Sequence, residues 1–181
     1  MTSYDPEFEE MAREFRRQIA EEQAELEEIE RESDLQSIDL PFALLESQWR
    51  GDSLRVVCGS RAFVGQVTHV GDNIVTLSTE TGAVTDICLD AVHAIAITTP
   101  GRGNGVPRRE KDPVRFVARL REFVGIPNAI FEFGTNDDAP VVIGRLAEIR
   151  ADHILVLTRD NARWMLPVTH IAYCVRVPTG R

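Results

Sequence analysis

Gly65-Gln-Val-Thr-His-Val-Gly-Asp-Asn-Ile-Val-Thr-Leu77 reads as a bent strand, a tight turn and a second strand, because Val, Thr and Ile flank the turn residues Gly71, Asp72 and Asn73. The pattern occurs twice. Its second copy runs from Gly144 through Arg145, Leu146, Ala147, Glu148, Ile149, Arg150, Ala151, Asp152, His153, Ile154, Leu155 and Val156 to Leu157. By spacing this copy is one residue longer at the turn, so that Asp152 and His153 answer to Asp72 and Asn73.

Outward from the first copy, strand-like runs rich in Val, Ile and Thr cover Leu54 to Cys58, Ala62 to Val70, Ile74 to Ser78, Val84 to Leu89 and His93 to Ile97. A short helix is expected between Ser37 and Gly51. Pro41 suits its first turn, Phe42, Leu45 and Trp49 share a face, and Gly51 ends it. Five short strands are too few for two full sheets, so a small bent barrel is expected, with Gly65 at the kink. The second copy repeats the plan. Its helix has Asp112 as N-cap, Pro113 at the first position, Phe116, Leu120 and Phe123 on one face and Gly125 past the end. Its strands are expected at Ala129 to Phe133, Val141 to Ile149, Ile154 to Thr158, Arg163 to Leu166 and Ile171 to Val177. Pro167 suits a strand end or an edge.

The spacing Gly65-x-Val67-x-x-Val70-x-Asp72-x-Ile74-Val75-x-Leu77, followed by Ile87-x-Leu89-x-x-Val92-x-Ala94-Ile95, resembles the Sm-like fold of Sm and Lsm proteins, of Hfq and of the RimP C-terminal domain. The resemblance implies SH3-like small barrels in tandem and a nucleic-acid contact at the turn between strands two and three, where Asp72 and Asn73 fall. As a whole the chain is similar to small actinobacterial proteins labelled Fis-like regulators, although no helix-turn-helix is visible in it.

The expected fold is therefore mainly β with helices: a long acidic N-terminal helix followed by two helix-plus-five-strand barrels of the Sm-like or SH3-like kind. The divisions are an arm over 1–36, a first barrel with its leading helix over 37–98, a Gly and Pro punctuated basic linker over 99–111, and a second barrel with its helix over 112–181. Each barrel is near the lower size limit for an independent core, so the two are expected to pack together or pair edge to edge.

Charge separates the arm from the body. Residues 1–34 hold thirteen acids against four Arg, whereas residues 35–181 hold sixteen of each sign. On the arm, Phe8, Met11, Phe15, Ile19, Leu26 and Ile29 form a narrow apolar stripe. It suits either packing on the body or docking on another chain. Arg102, Arg108, Arg109 and Lys111 make the linker basic, and with Asp72 and Asn73 they are the candidate nucleic-acid contacts. The linker holds no aromatic residue to stack on bases, and its glycines make it flexible.

No residue pattern carries a reaction. Gly101-Arg-Gly-Asn-Gly105 lacks the Lys-Ser/Thr ending of a phosphate loop. His69, His93, His153 and His170 form no close-spaced ligand pair, and Cys58, Cys88 and Cys174 sit singly in apolar runs. Neither cofactor nor metal is expected. No apolar run approaches the roughly 20 residues of a bilayer span, so a cytoplasmic chain with no membrane partner is expected. The reading that follows is a non-catalytic adaptor or regulator that binds a macromolecular partner through its small barrels and acidic helix. RNA or DNA binding is the alternative. Homo-oligomers through barrel edges or the N-terminal helix are a further expectation.

Overall fold

The computed structural model describes residues 17, 19–21, 23, 39–103, 114–137 and 140–177. The chain falls into two compact units, Met1–Asp39 and Leu40–Arg181. In the first, Arg17, Ile19, Ala20, Glu21 and Gln23 are helical, and Arg17 Nε lies 3.7 Å from Glu21 Oε1 one turn on. The rest of the long acidic helix expected over this arm lies outside the described residues. A long N-terminal helix is thus not among the elements described.

The second unit opens with α1 (Leu40–Arg50) and continues through β1 (Ser53–Cys58), β2 (Arg61–Val70), β3 (Ile74–Ser78), β4 (Val84–Cys88) and β5 (Val92–Thr99). After the connector come α2 (Phe116–Arg121), β6 (Ile130–Thr135), β7 (Val142–Ile149), β8 (His153–Leu157), β9 (Arg163–Pro167) and β10 (Ile171–Val177). The strands fall within a residue or two of the runs of branched side chains, bounded by Gly and Asn turns.

The assembly of these strands corrects the expected architecture. There are not two separate barrels. All ten strands join one antiparallel sheet in the order β5-β1-β2-β3-β4-β10-β6-β7-β8-β9. The seam is β4 on β10, with Ile87 opposite Tyr173, Asp86 opposite Cys174, Thr85 opposite Val175 and Val84 opposite Arg176. Burial explains the seam. Separate barrels would leave the outer edges of β4 and β10 open, and with them Thr85, Asp86, Ile87, Tyr173 and Cys174, each no more than 2% exposed in the joined sheet.

Each core consequently borrows from the other repeat. The first gathers Leu44, Leu54, Val56, Val67, Val75, Leu77 and Ile87 around Ala172 and Tyr173 of β10. The second packs Phe116, Leu120, Phe131, Phe133, Leu146, Ile154 and Val156 around Ile74 of β3.

Both helices depart from expectation in detail. The inward face of α1 is Leu44 and Ser47, with Gln48 Nε2 donating to the Thr68 carbonyl at 2.7 Å, while Trp49 is 52% exposed. Residues 44, 47 and 48 follow the helical i, i+3, i+4 spacing, which turns position 49 outward. Helix α2 begins at Phe116 with extended Arg115 as its N-cap, not at Asp112 and Pro113, which lie outside the described residues. Its cap comes from a distant part of the chain.

Gly65 and Gly144 are required for a reason other than a kinked φ. A Cβ at Gly65 would collide with the Ser78 carbonyl, and one at Gly144 with the Leu157 carbonyl, so both strands pass too close to their neighbour for a side chain. A register shift follows in each strand, between Val67 and His69 in one copy and Leu146 and Glu148 in the other, the kind of irregularity that bends a strand.

Candidate functional site

The two copies superpose in hydrogen bonding without an insertion. Gly71 N–H donates to the Ile74 carbonyl at 2.9 Å, and Arg150 N–H donates to the His153 carbonyl at 2.8 Å. Leu89 N–H donates to the Asn73 carbonyl, and Val168 N–H to that of Asp152. Thr79 and Thr158 receive Gly82 and Asn161 in the same way. All these pairs share the 79-residue offset between Gly65 and Gly144. Asn73 therefore corresponds to Asp152 and Asp72 to Ala151. This corrects the counterpart pair read from spacing, and with it the extra turn residue.

The turn residues singled out in the sequence have a structural task. Asn73 Oδ1 accepts the Phe116 N–H at 2.9 Å, which caps α2, while its Nδ2 donates to Asp90 Oδ2 at 3.2 Å. Asp72 N–H donates to the Val114 carbonyl at 3.1 Å, and its carboxylate lies 4.0 Å from Arg115 Nε. A Cβ at Gly71 would run into that same Val114 carbonyl. The turn is thus a dock for residues 114–116, and both polar ends of the Asn73 amide are engaged. At the second copy, Asp152 Oδ1 instead meets His153 Nδ1 at 2.6 Å, which holds the exposed Asp152 carboxyl below its ordinary range.

Of the basic cluster, Arg102 is exposed, and Arg108, Arg109 and Lys111 lie outside the described residues. The start of their linker is not loose. Gly101 N–H donates to Asp52 Oδ1 at 2.7 Å, and Gly103 N–H donates to the Arg50 carbonyl at 3.1 Å. Asp52 is 1% exposed and also accepts from Arg50 Nε at 3.0 Å. Burial pushes its carboxyl up, but the bonds from Arg50, Gly101 and Ser47 together hold it below the ordinary value. Of the apolar stripe, Ile19 is 39% exposed, while Phe8, Met11, Phe15, Leu26 and Ile29 lie outside the described residues.

At the seam, buried Asp86 accepts the Thr76 hydroxyl at 2.6 Å and faces Arg119 Nε of α2 at 3.7 Å. Burial pushes its carboxyl above the ordinary range despite both partners. Burial likewise raises the Cys58 thiol to about 11 and Cys174 well above its usual value, so both are unreactive. Among the described residues no three His, Cys, Asp or Glu side chains group as metal ligands, and no described helix is long and apolar enough to cross a membrane.

The surface left open by the fold is its pair of edges. Among the described residues, β5 pairs only with β1 and β9 only with β8, so each has one side on which no described strand pairs. The 79-residue offset makes β5 the counterpart of β10, and β9 the counterpart of β4. Their burial is opposite. Thr85 and Asp86 are 2% exposed, whereas their counterparts Trp164 and Met165 are 47% and 69% exposed. Ile97, the counterpart of Arg176, is 52% exposed. No charged residue, Lys or Pro interrupts Val92–Thr99, and Pro167 falls only at the end of β9. Sequence reasoning placed both strands and anticipated contacts through barrel edges, but it did not say which strands are the edges, because strand order is not a local property. The adjacent Trp164 and Met165, apolar on both faces of an edge strand, were the available signal.

No family model, curated protein or solved structure matches the chain.

Proposed function

We propose that this protein is a non-catalytic adaptor that holds its macromolecular partner by strand addition along β5 and β9. The observation that carries the reading is the exposure of Ile97, Trp164 and Met165 on two edges whose counterparts inside the same sheet are covered by a strand. An open edge supplies a row of unmatched N–H and C=O groups, and alternate side chains supply selectivity. The well-held polar groups of the body, Asp52, Asn73 and Asp86, are each engaged in bonds that fasten one element to another, which suits a scaffold. The unreactive buried thiols suit a reducing compartment, and we assign the protein to the cytoplasm.

A fluorescein-labelled peptide with the sequence of β10, Ile171–Val177, tests the reading by anisotropy against the full chain. Saturable binding is expected, weakened on the order of tenfold by Met165→Lys. No binding, or binding indifferent to that substitution, overturns it.

A further inference from the structure

We infer that the outer face of the second repeat, across β7, β8 and β9, is a docking surface for an acidic amphipathic helix of a partner protein, separate from the strand edges proposed above. Register sets the face. Arg145 of β7 stands opposite Leu157 of β8, which stands opposite Arg163 of β9, and in the adjoining row Leu155 stands between Glu148 and Met165. Cross-strand partners share a face. This one points away from the interior, because the alternate residues of β8, Ile154 and Val156, are the buried ones. Leu155 and Leu157 are half-buried yet belong to neither core cluster. Ile143, two residues before Arg145 on β7, adds an apolar side chain that is 48% exposed.

The charges around these apolar side chains select the partner. Arg145, Arg163 and Arg159, the last in the turn after β8, are exposed, and none has a side-chain hydrogen bond or ion pair among the described residues. The neighbouring acids are engaged, Glu148 with Arg150 at 3.0 Å and Asp160 with the Thr158 hydroxyl. The same face of the first repeat already receives a helix. There Thr76 and Asp86 stand at the positions of Leu155 and Met165, and α2 packs on them, with Arg119 Nε 3.7 Å from Asp86 and Ile74 clustered with Phe116 and Leu120. In that contact the sheet supplies the acid and the helix the base. The second repeat reverses the signs, with Met165 in place of Asp86 and Arg145, Arg159 and Arg163 in place of Gln66, Glu80 and Val84. Strands β7 and β9 are two strand spacings apart, about 10 Å, close to the diameter of a helix with its side chains, about 10–12 Å. A helix lying along Leu157 and Ile143 would thus bring acids on both flanks to the arginines. The face carries no Phe, Tyr or Trp to stack on bases, which favours a peptide over a nucleic acid.

The probe is a fluorescein-labelled peptide of about 20 residues, with leucine at i, i+3, i+4 and i+7 spacing and glutamate on both flanks, titrated with the full chain and read by anisotropy. Saturable, salt-sensitive binding is expected, weakened about tenfold or more by Arg145→Glu and by Arg159→Glu with an unchanged circular dichroism spectrum. Ile143→Ser should weaken it as well, and so should serine in place of the peptide's leucines. Met165 belongs to both surfaces, so the variants are placed on β7 and in the turn after β8. Absence of binding overturns the inference, as does binding indifferent to Arg145→Glu and Arg159→Glu. Equal binding of the serine peptide, or of a single-stranded oligonucleotide with the same dependence on Arg145, makes the face a general polyanion contact and also overturns it. The β10 peptide distinguishes this surface from the edges. Arg145→Glu should leave β10-peptide binding unchanged because β7 is not an edge strand, whereas loss of both peptides in that variant would place them on one site and overturn the inference. If the acidic peptide binds as expected and the β10 peptide does not, the docking face stands and strand addition fails.

Discussion

Asn73 shows how a residue that looks like a contact for a ligand can be consumed by the fold. Its amide accepts from the first N–H of α2 and donates to Asp90, so it joins the β2–β3 turn to a helix 43 residues away. Asn73→Ala should lower stability in urea unfolding by about 1–2 kcal/mol, the usual cost of a lost cap and an orphaned N–H. Asp52 acts similarly between the end of α1 and Gly101, and its loss should cost about 2–3 kcal/mol because its bonds involve a buried charge. Its depressed pKa gives stability that is present above the ordinary Asp value and is lost as pH falls through the lower folded-state value. Asp86 has the opposite slope. Its raised pKa gives a contribution present below the ordinary value and lost as pH rises through the folded-state value. Urea midpoints measured from neutral pH to about pH 3 should therefore fall less steeply toward acid in Asp52→Asn, which starts from a lower midpoint, than in the unaltered chain.

At the scale of elements, the short second helix is held by packing and by its borrowed cap more than by its own length. Phe116 and Leu120 are buried, and Phe123, just beyond the helix, stacks on Phe131 at 4.9 Å. The 71–73 turn receives the segment leading into it, and Gly71 permits the approach of Val114. Gly71→Ala should force that segment away and cost about 1–3 kcal/mol, the range for overpacking a close contact. Strand positions were legible because runs of Val, Ile and Thr between Gly and Asn turns state a local preference. The start of α2 was not legible. Asp112-Pro113 is a strong local start signal, yet the described helix takes Arg115 as its N-cap and Asn73 as its hydrogen-bond acceptor.

For the whole molecule, the seam makes one cooperative body of two repeats, because Tyr173 completes the first core and Ile74 the second. Each repeat contains one tryptophan, Trp49 and Trp164. Single-tryptophan variants, Trp49→Phe and Trp164→Phe, should unfold in urea with coincident fluorescence midpoints. Separate midpoints would show halves that fold on their own.

The amino-acid sequence by itself determined the duplication, the ten strand positions and the class of turn between them, since these follow from side-chain shape and backbone preference over a few residues. Only the tertiary structure decided that the repeats share one sheet, that Asn73 answers to Asp152, and that β5 and β9 stand at the two ends of the described sheet. The physical reason is that pairing β4 with β10 joins strands more than eighty residues apart. Such a pairing is selected by which edges can bury their apolar and polar groups together, and no local preference records that.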